Sequence, residues 1–247
     1  MRLSQAWIVA RHDMGLFRQK RGILLGLIVF PIAVGVGFPL LVGQYILPRS
    51  MGAGDANLWL PSLIDAFSFW FVIGSATIPT SIASYSIVGE KVSKSLEPLL
   101  STPTTDGEIL LGKGLAAWLP TLGAMWTGSL LFQGFMDLET HAALGYLYYP
   151  NAAMLVIELV AMPLAALLAI QASVVISSQV TDVRSAQQYA GLIFIPFIFL
   201  YIASEVAITL DATNLLYISA GLAVADGALF VTCLRTFHRD EILTRWK

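Results

Sequence analysis

Apolar residues dominate six long stretches of this chain, at about 22–47, 59–88, 114–135, 152–178, 190–210 and 215–234. A helix needs roughly 20 mostly apolar residues to cross a bilayer, and each stretch reaches that length. The second is long enough to tilt or to project beyond the membrane. Pro31, Pro39, Pro61, Pro79, Pro120, Pro163 and Pro196 fall inside these stretches. Each proline lacks the N–H its helix requires, so several passages should kink. Residues 1–21 carry a different pattern. Leu3, Trp7, Ala10, Met14 and Phe17 recur at helical spacing, whereas Arg2, Gln5, His12, Arg18 and Lys20 point elsewhere. Such a helix suits the membrane surface, as a topology anchor or as a contact for a cytoplasmic partner.

Composition fixes the solvent. Apolar residues make up 57% of the 247 and charged residues only 12%, against about 25% charged in ordinary soluble domains. A water-soluble fold of this size could not bury so much apolar surface, and disorder is excluded on the same grounds. Fourteen basic residues face sixteen acidic ones, which leaves no basic excess for nucleic acid. The single cysteine, Cys233, excludes an internal disulfide and a cysteine-built metal site. The fold class expected is an all-α integral membrane protein with six transmembrane helices, preceded by an amphipathic interfacial helix.

Charge placement adds an orientation. Thirteen of the fourteen basic residues fall before the first stretch, between two and three, between four and five, or after the sixth. Only Arg49 lies opposite, while Asp55, Asp137, Glu139 and Asp211 are assigned to the outer loops. The positive-inside rule therefore predicts both termini in the cytoplasm. The expected organisation is one transmembrane domain over residues 1–247. It comprises a helix at 1–21, spans one and two at 22–88, a cytoplasmic elbow at 89–113, spans three to six at 114–234, and a tail at 235–247. None of the stretches reads as a signal peptide, and too little chain remains for a soluble catalytic domain.

The elbow is the most informative segment. Charged residues Glu90, Lys91 and Lys94 lead into Leu96, Leu99 and Leu100, Pro98 and Pro103 interrupt the helix, and Thr104-Thr105-Asp106 offers caps for the next one. As a solvated loop it would leave its leucines exposed; as a docking knuckle it gives them something to pack on. Gly107–Gly114 is a near miss for a phosphate-binding loop. It lacks the Ser or Thr that ligates magnesium, no apolar strand precedes it, and its middle residues favour helix, so no ATP site is assigned to this chain.

The run Ser95-Leu96-Glu97, Leu99-Leu100-Ser101-Thr102-Pro103, Glu108-Ile109-Leu110 and Gly112-Lys113, preceded by Glu90, resembles the signature of the ABC-2 family of ATP-binding-cassette transporter permeases. Lys94 stands where many members carry glycine. The resemblance implies an exporter subunit in the plasma (inner) membrane of a prokaryotic cell. It implies a separate ABC ATPase, which holds ATP and magnesium, and a second permease copy or related chain as partners. It also implies coupling to that ATPase through Glu90, Lys91, Ser95, Leu96, Glu97, Leu99, Leu100, Ser101 and Pro103, with no catalytic residue, cofactor or metal on this chain.

Four acids, Asp65, Glu158, Glu205 and Asp226, lie within apolar stretches without a base at similar depth. Each ionised group near the bilayer centre would cost about 2.5–3.5 kcal/mol, so they should line a polar pathway or be held by interhelical hydrogen bonds. They also keep open a cation-coupled secondary transporter, which would have no use for the elbow. An intramembrane protease is weaker still. His12, His141 and His238 all lie outside the stretches, and an Asp65–Asp226 pair lacks a recognisable flanking motif. Gly22–Gly26 and Ala161–Ala165 are candidate close helix contacts.

Overall fold

The computed structural model describes residues 3–50, 55–92, 105–179 and 212–236, with isolated positions between 185 and 199. Every regular element among them is helical. Helix α1 spans Leu3–Phe17. The first passage, Arg21–Ser50, contains α2 (Arg21–Ile32), α3 (Phe38–Leu41) and α4 (Leu47–Ser50), separated by π turns. The second is built from α5 (Ala56–Ser68) and α6 (Trp70–Val92), which meet at a break on Phe69. Helix α7 runs unbroken over Asp106–Leu144. The next passage joins α8 (Ala152–Val156) to α9 (Met162–Gln179), and α10 covers Ala212–Thr236. Five of these segments are long and apolar enough to cross a membrane, and they correspond to five of the six stretches expected. The stretch at 190–210 falls largely outside the described residues.

The prolines act more locally than simple kinking suggests. Among the described residues three π turns occur, at Ala33–Gly37, Val42–Ile46 and Ile157–Ala161. Each ends two residues before a proline, Pro39, Pro48 or Pro163. Proline cannot supply the N–H awaited by the carbonyl four residues earlier. One extra residue in the turn moves the bonding to the i+5 register, as where Leu47 N–H reaches Val42 O and Met162 N–H reaches Ile157 O. Pro61, Pro79 and Pro120 are accommodated within α-helices.

Helix α7 is longer than expected at both ends. Its start is fixed by a capping box: Thr105 Oγ1 accepts from Glu108 N–H and Glu108 Oε2 accepts from Thr105 N–H at 3.0 Å. Residues 106–113, assigned above to the elbow, are therefore its first two turns, and the near-miss phosphate loop is helix. Asp137 and Glu139, assigned to an outer loop, lie on its last turns. The helix stops at Gly145, which takes φ +79 and returns its N–H to His141 O. At about 1.5 Å per residue, α7 is longer than the bilayer core and serves as the mast of the bundle. Helices α1, α2, α5, α6 and α9 all pack against it.

Between helices in lipid, close packing and hydrogen bonds replace the hydrophobic drive available in water. The tightest approach brings α2 and the first π turn against α7. A Cβ on Gly128 would lie 2.6 Å from Pro31 Cβ, and one on Gly35 would lie 2.5 Å from Gly128 O. Gly74 faces Phe30 and Met125, and Gly43 lies under the Glu139 side chain. Gly22 and Gly26, the expected contacts, have nothing near them. Ala161 and Ala165 are buried as expected. Around these contacts Phe71, Leu122, Met125, Phe132, Met154 and Met162 form the core, with Phe71 edge-on to Phe132 at 5.4 Å.

Candidate functional site

Helix α1 joins the bundle by part of its expected apolar face, Ala10, Met14 and Phe17, together with its small residues. Ala6, Val9, Ala10, Asp13 and Phe17 are buried against α7, whereas Leu3 and Trp7 remain exposed. The cause is steric. A Cβ on Gly112 would lie 2.6 Å from Ala6 O and 2.7 Å from Val9 Cβ, so small residues on both helices bring their backbones together. Deep in that contact Lys113 Nζ donates to Asp13 Oδ2 at 3.2 Å, with both side chains at 4% exposure or less. The other carboxylate oxygen, Asp13 Oδ1, lies 3.3 Å from Nδ1 of the exposed His12. Neither Asp13 nor Lys113 stands out as a site residue in the sequence. Asp13 follows Arg11 and His12, and Lys113 closes the family-like run, so nothing local pairs the two.

This foot of α7 is the last part of the expected elbow. Of the elbow's coupling residues, Glu90 and Lys91 fall on the last turn of α6. Ser95, Leu96, Glu97, Leu99, Leu100, Ser101 and Pro103 lie outside the described residues. Helices α6 and α7, which the elbow joins, pack directly against each other. The segment is therefore anchored on two neighbouring helices, one of them fastened to α1.

The opposite end of α7 is clasped by polar contacts. Asp137 Oδ1 accepts from the backbone N–H groups of Tyr148 and Tyr149, at 2.9 and 3.1 Å, and so folds the α7–α8 connection back onto the helix. Tyr148 then donates its hydroxyl to Asp65 Oδ2 at 2.8 Å. Burial, and then the nearby Asp65 carboxylate, push the Tyr148 phenol above its ordinary value, so it stays protonated as the donor. Asn151 caps α8 through Met154 N–H at 2.7 Å.

Glu158 is held between these two ends. Its Oε1 accepts from Ser129 Oγ at 2.6 Å and from Gln133 Nε2 at 2.7 Å, two residues one turn apart on α7. Its backbone carbonyl is also occupied. In the π register its donor would be residue 163, a proline, and Trp126 Nε1–H takes that place at 2.9 Å. The indole of Trp118 donates in the same way to Pro163 O at 3.1 Å. Glu158 is thus tied by interhelical hydrogen bonds, and Asp65 by one from the α7–α8 connection. Asp226 differs: it is buried on α10 and neither carboxylate oxygen has a hydrogen-bond partner. Glu205 lies outside the described residues. No group of three or more metal-ligating side chains occurs among the described residues.

A family model for ABC-2 family transporter proteins matches residues 7–221, most of the chain and the whole elbow. The chain belongs to the ABC-2 transporter family. No curated protein matches it. An ABC-2 permease is a membrane subunit, and its family normally has no ATPase site of its own. The observed geometry suits that role: a helical membrane bundle, a fastened foot at the end of the elbow and a clasped far end.

Proposed function

We propose that this chain is the membrane-spanning subunit of an ABC-2-type exporter, forming the translocation pathway with a second permease copy. Both termini and the elbow lie in the cytoplasm of a prokaryotic cell, where a separate ABC ATPase supplies ATP hydrolysis. The elbow residues Glu90, Lys91, Ser95, Leu96, Glu97, Leu99, Leu100, Ser101 and Pro103 form the docking knuckle. Closure of the ATPases pushes that knuckle and tilts α6 and α7. The observation carrying this reading is the family match, which spans the elbow and both helices that anchor it. The distribution of basic residues supports the orientation. Asp226 is the remaining candidate for the pathway, because its carboxylate lacks a partner. Glu205 stays a pathway candidate from its place in an apolar stretch, whereas Asp65 and Glu158 serve helix packing.

The test is capture of an ABC ATPase co-expressed with this chain. The unaltered permease is expected to retain it through purification, and the double variant Leu99→Asp/Leu100→Asp to lose it, because two buried carboxylates would be stranded in an apolar contact. Undiminished capture by the double variant would contradict the docking assignment.

A further inference from the structure

We infer that the Asp13–Lys113 ion pair is a positioning latch that makes α1 and the foot of α7 move as one body when the elbow is pushed; the inference rests on the coupling role proposed above. A buried ion pair is a poor source of stability, since desolvation offsets most of its attraction, and apolar residues would hold the helices as well. What such a pair supplies is register. Apart from Asp13, the buried face of α1 is Ala6, Val9, Ala10 and Phe17, whose apolar side chains make no directional contact. Lys113 Nζ reaches Asp13 in one register only, 3.2 Å away, and the adjacent Gly112 seats that register by admitting the backbone of Ala6. The pair lies seven residues into α7, about 10 Å of helix rise from its start. Any displacement arriving through residues 93–104 reaches this foot before the rest of α7. With the latch closed, α1 is carried along; with it open, part of the push is lost as slip between the helices.

The experiment uses the permease assembled with its ATPase in lipid nanodiscs, with ATP and magnesium as the only ligands. Asp13→Asn keeps an acceptor for Lys113 but removes the charge. It is expected to lower the kcat of ATP turnover about tenfold, within the range of coupling between linked sites, with KM for ATP and ATPase capture unchanged. The exchange Asp13→Lys/Lys113→Asp is expected to restore most of the turnover. Unchanged kcat in Asp13→Asn, a loss the exchange does not repair, or loss of ATPase capture would each overturn the latch.

A second measurement needs no ATPase. Spin labels on Ile8→Cys and Leu130→Cys, both exposed positions, are placed in a Cys233→Ser background. They should give a narrow distance distribution in the otherwise unaltered full chain, a broad one with Asp13→Asn, and a narrow one again after the exchange. A narrow distribution with Asp13→Asn would overturn the latch even if docking holds, and failed ATPase capture by the unaltered chain would overturn docking while leaving this readout intact.

Discussion

Gly128→Leu is expected to abolish recovery of folded permease. The glycine sits where α2 and the first π turn cross α7, and a bare Cβ would already lie 2.6 Å from Pro31 Cβ, 2.9 Å from Pro31 O and 3.0 Å from Pro31 Cα. Two of those three atoms are backbone, and a proline ring cannot rotate aside. Gly35 presses on Gly128 O from the same side, so the helices would have to separate along their whole crossing. Overpacking of this kind costs roughly 3 kcal/mol, at the upper end of its usual range, and lipid offers no hydrophobic drive to offset it. Gly134→Leu, on the same helix with nothing within 4 Å, is the control. Size-exclusion profiles of the detergent-solubilised variants check this: Gly128→Leu should aggregate and Gly134→Leu should run as the unaltered chain. A monodisperse Gly128→Leu would show that the crossing is not tight.

Lys113→Met is expected to destabilise the α1–α7 contact, because it removes the buried cation that faces the Asp13 carboxylate. The double variant Asp13→Leu/Lys113→Met should recover most of that loss, since apolar residues of similar volume can replace a buried pair without penalty. Thermal unfolding of the two variants in the same detergent gives the comparison. Equal destabilisation of the single and double variants would contradict a buried, mutually compensating pair. Recovered stability without recovered ATP turnover would separate register from packing, as the latch requires.

The contrast between these two sites shows what a sequence exposes. Long apolar stretches report a solvent, and five of them are helices of membrane-spanning length here. The cap within Thr104-Thr105-Asp106 was equally legible, because it is local, and Thr105 fills it with Glu108 as its partner. Prolines marked where helices would deform, but not that Pro39 and Pro163, and Pro48 just past the first stretch, would do so through a π turn just upstream. That outcome depends on whether another group can take up the freed carbonyl, as Trp126 does for Glu158. The face of α1 was legible in part: Ala10, Met14 and Phe17 meet the core, whereas Leu3 and Trp7 stay exposed. Trp7 and Leu3 dominate a hydrophobic pattern by size, whereas at that end the helix docks by its small residues, since Gly112 rewards close approach. The Asp13–Lys113 pair joins positions 100 residues apart, and no local pattern reports such a partnership. Asp65 and Glu158 were visible as misplaced acids. Their partners Tyr148, Ser129 and Gln133 became identifiable only once α7 stood antiparallel to its successor.

Docking of an ABC ATPase on the elbow is tested most directly by cross-linking in intact membranes. Cys233 is the only native cysteine, so Cys233→Ser provides a clean background for Leu99→Cys in the elbow and for Leu147→Cys in the exposed connection after α7. With a thiol-to-amine cross-linker, a permease–ATPase product is expected from Leu99→Cys and none from Leu147→Cys. A product from Leu147→Cys, or none from Leu99→Cys while the ATPase remains bound, would contradict the account.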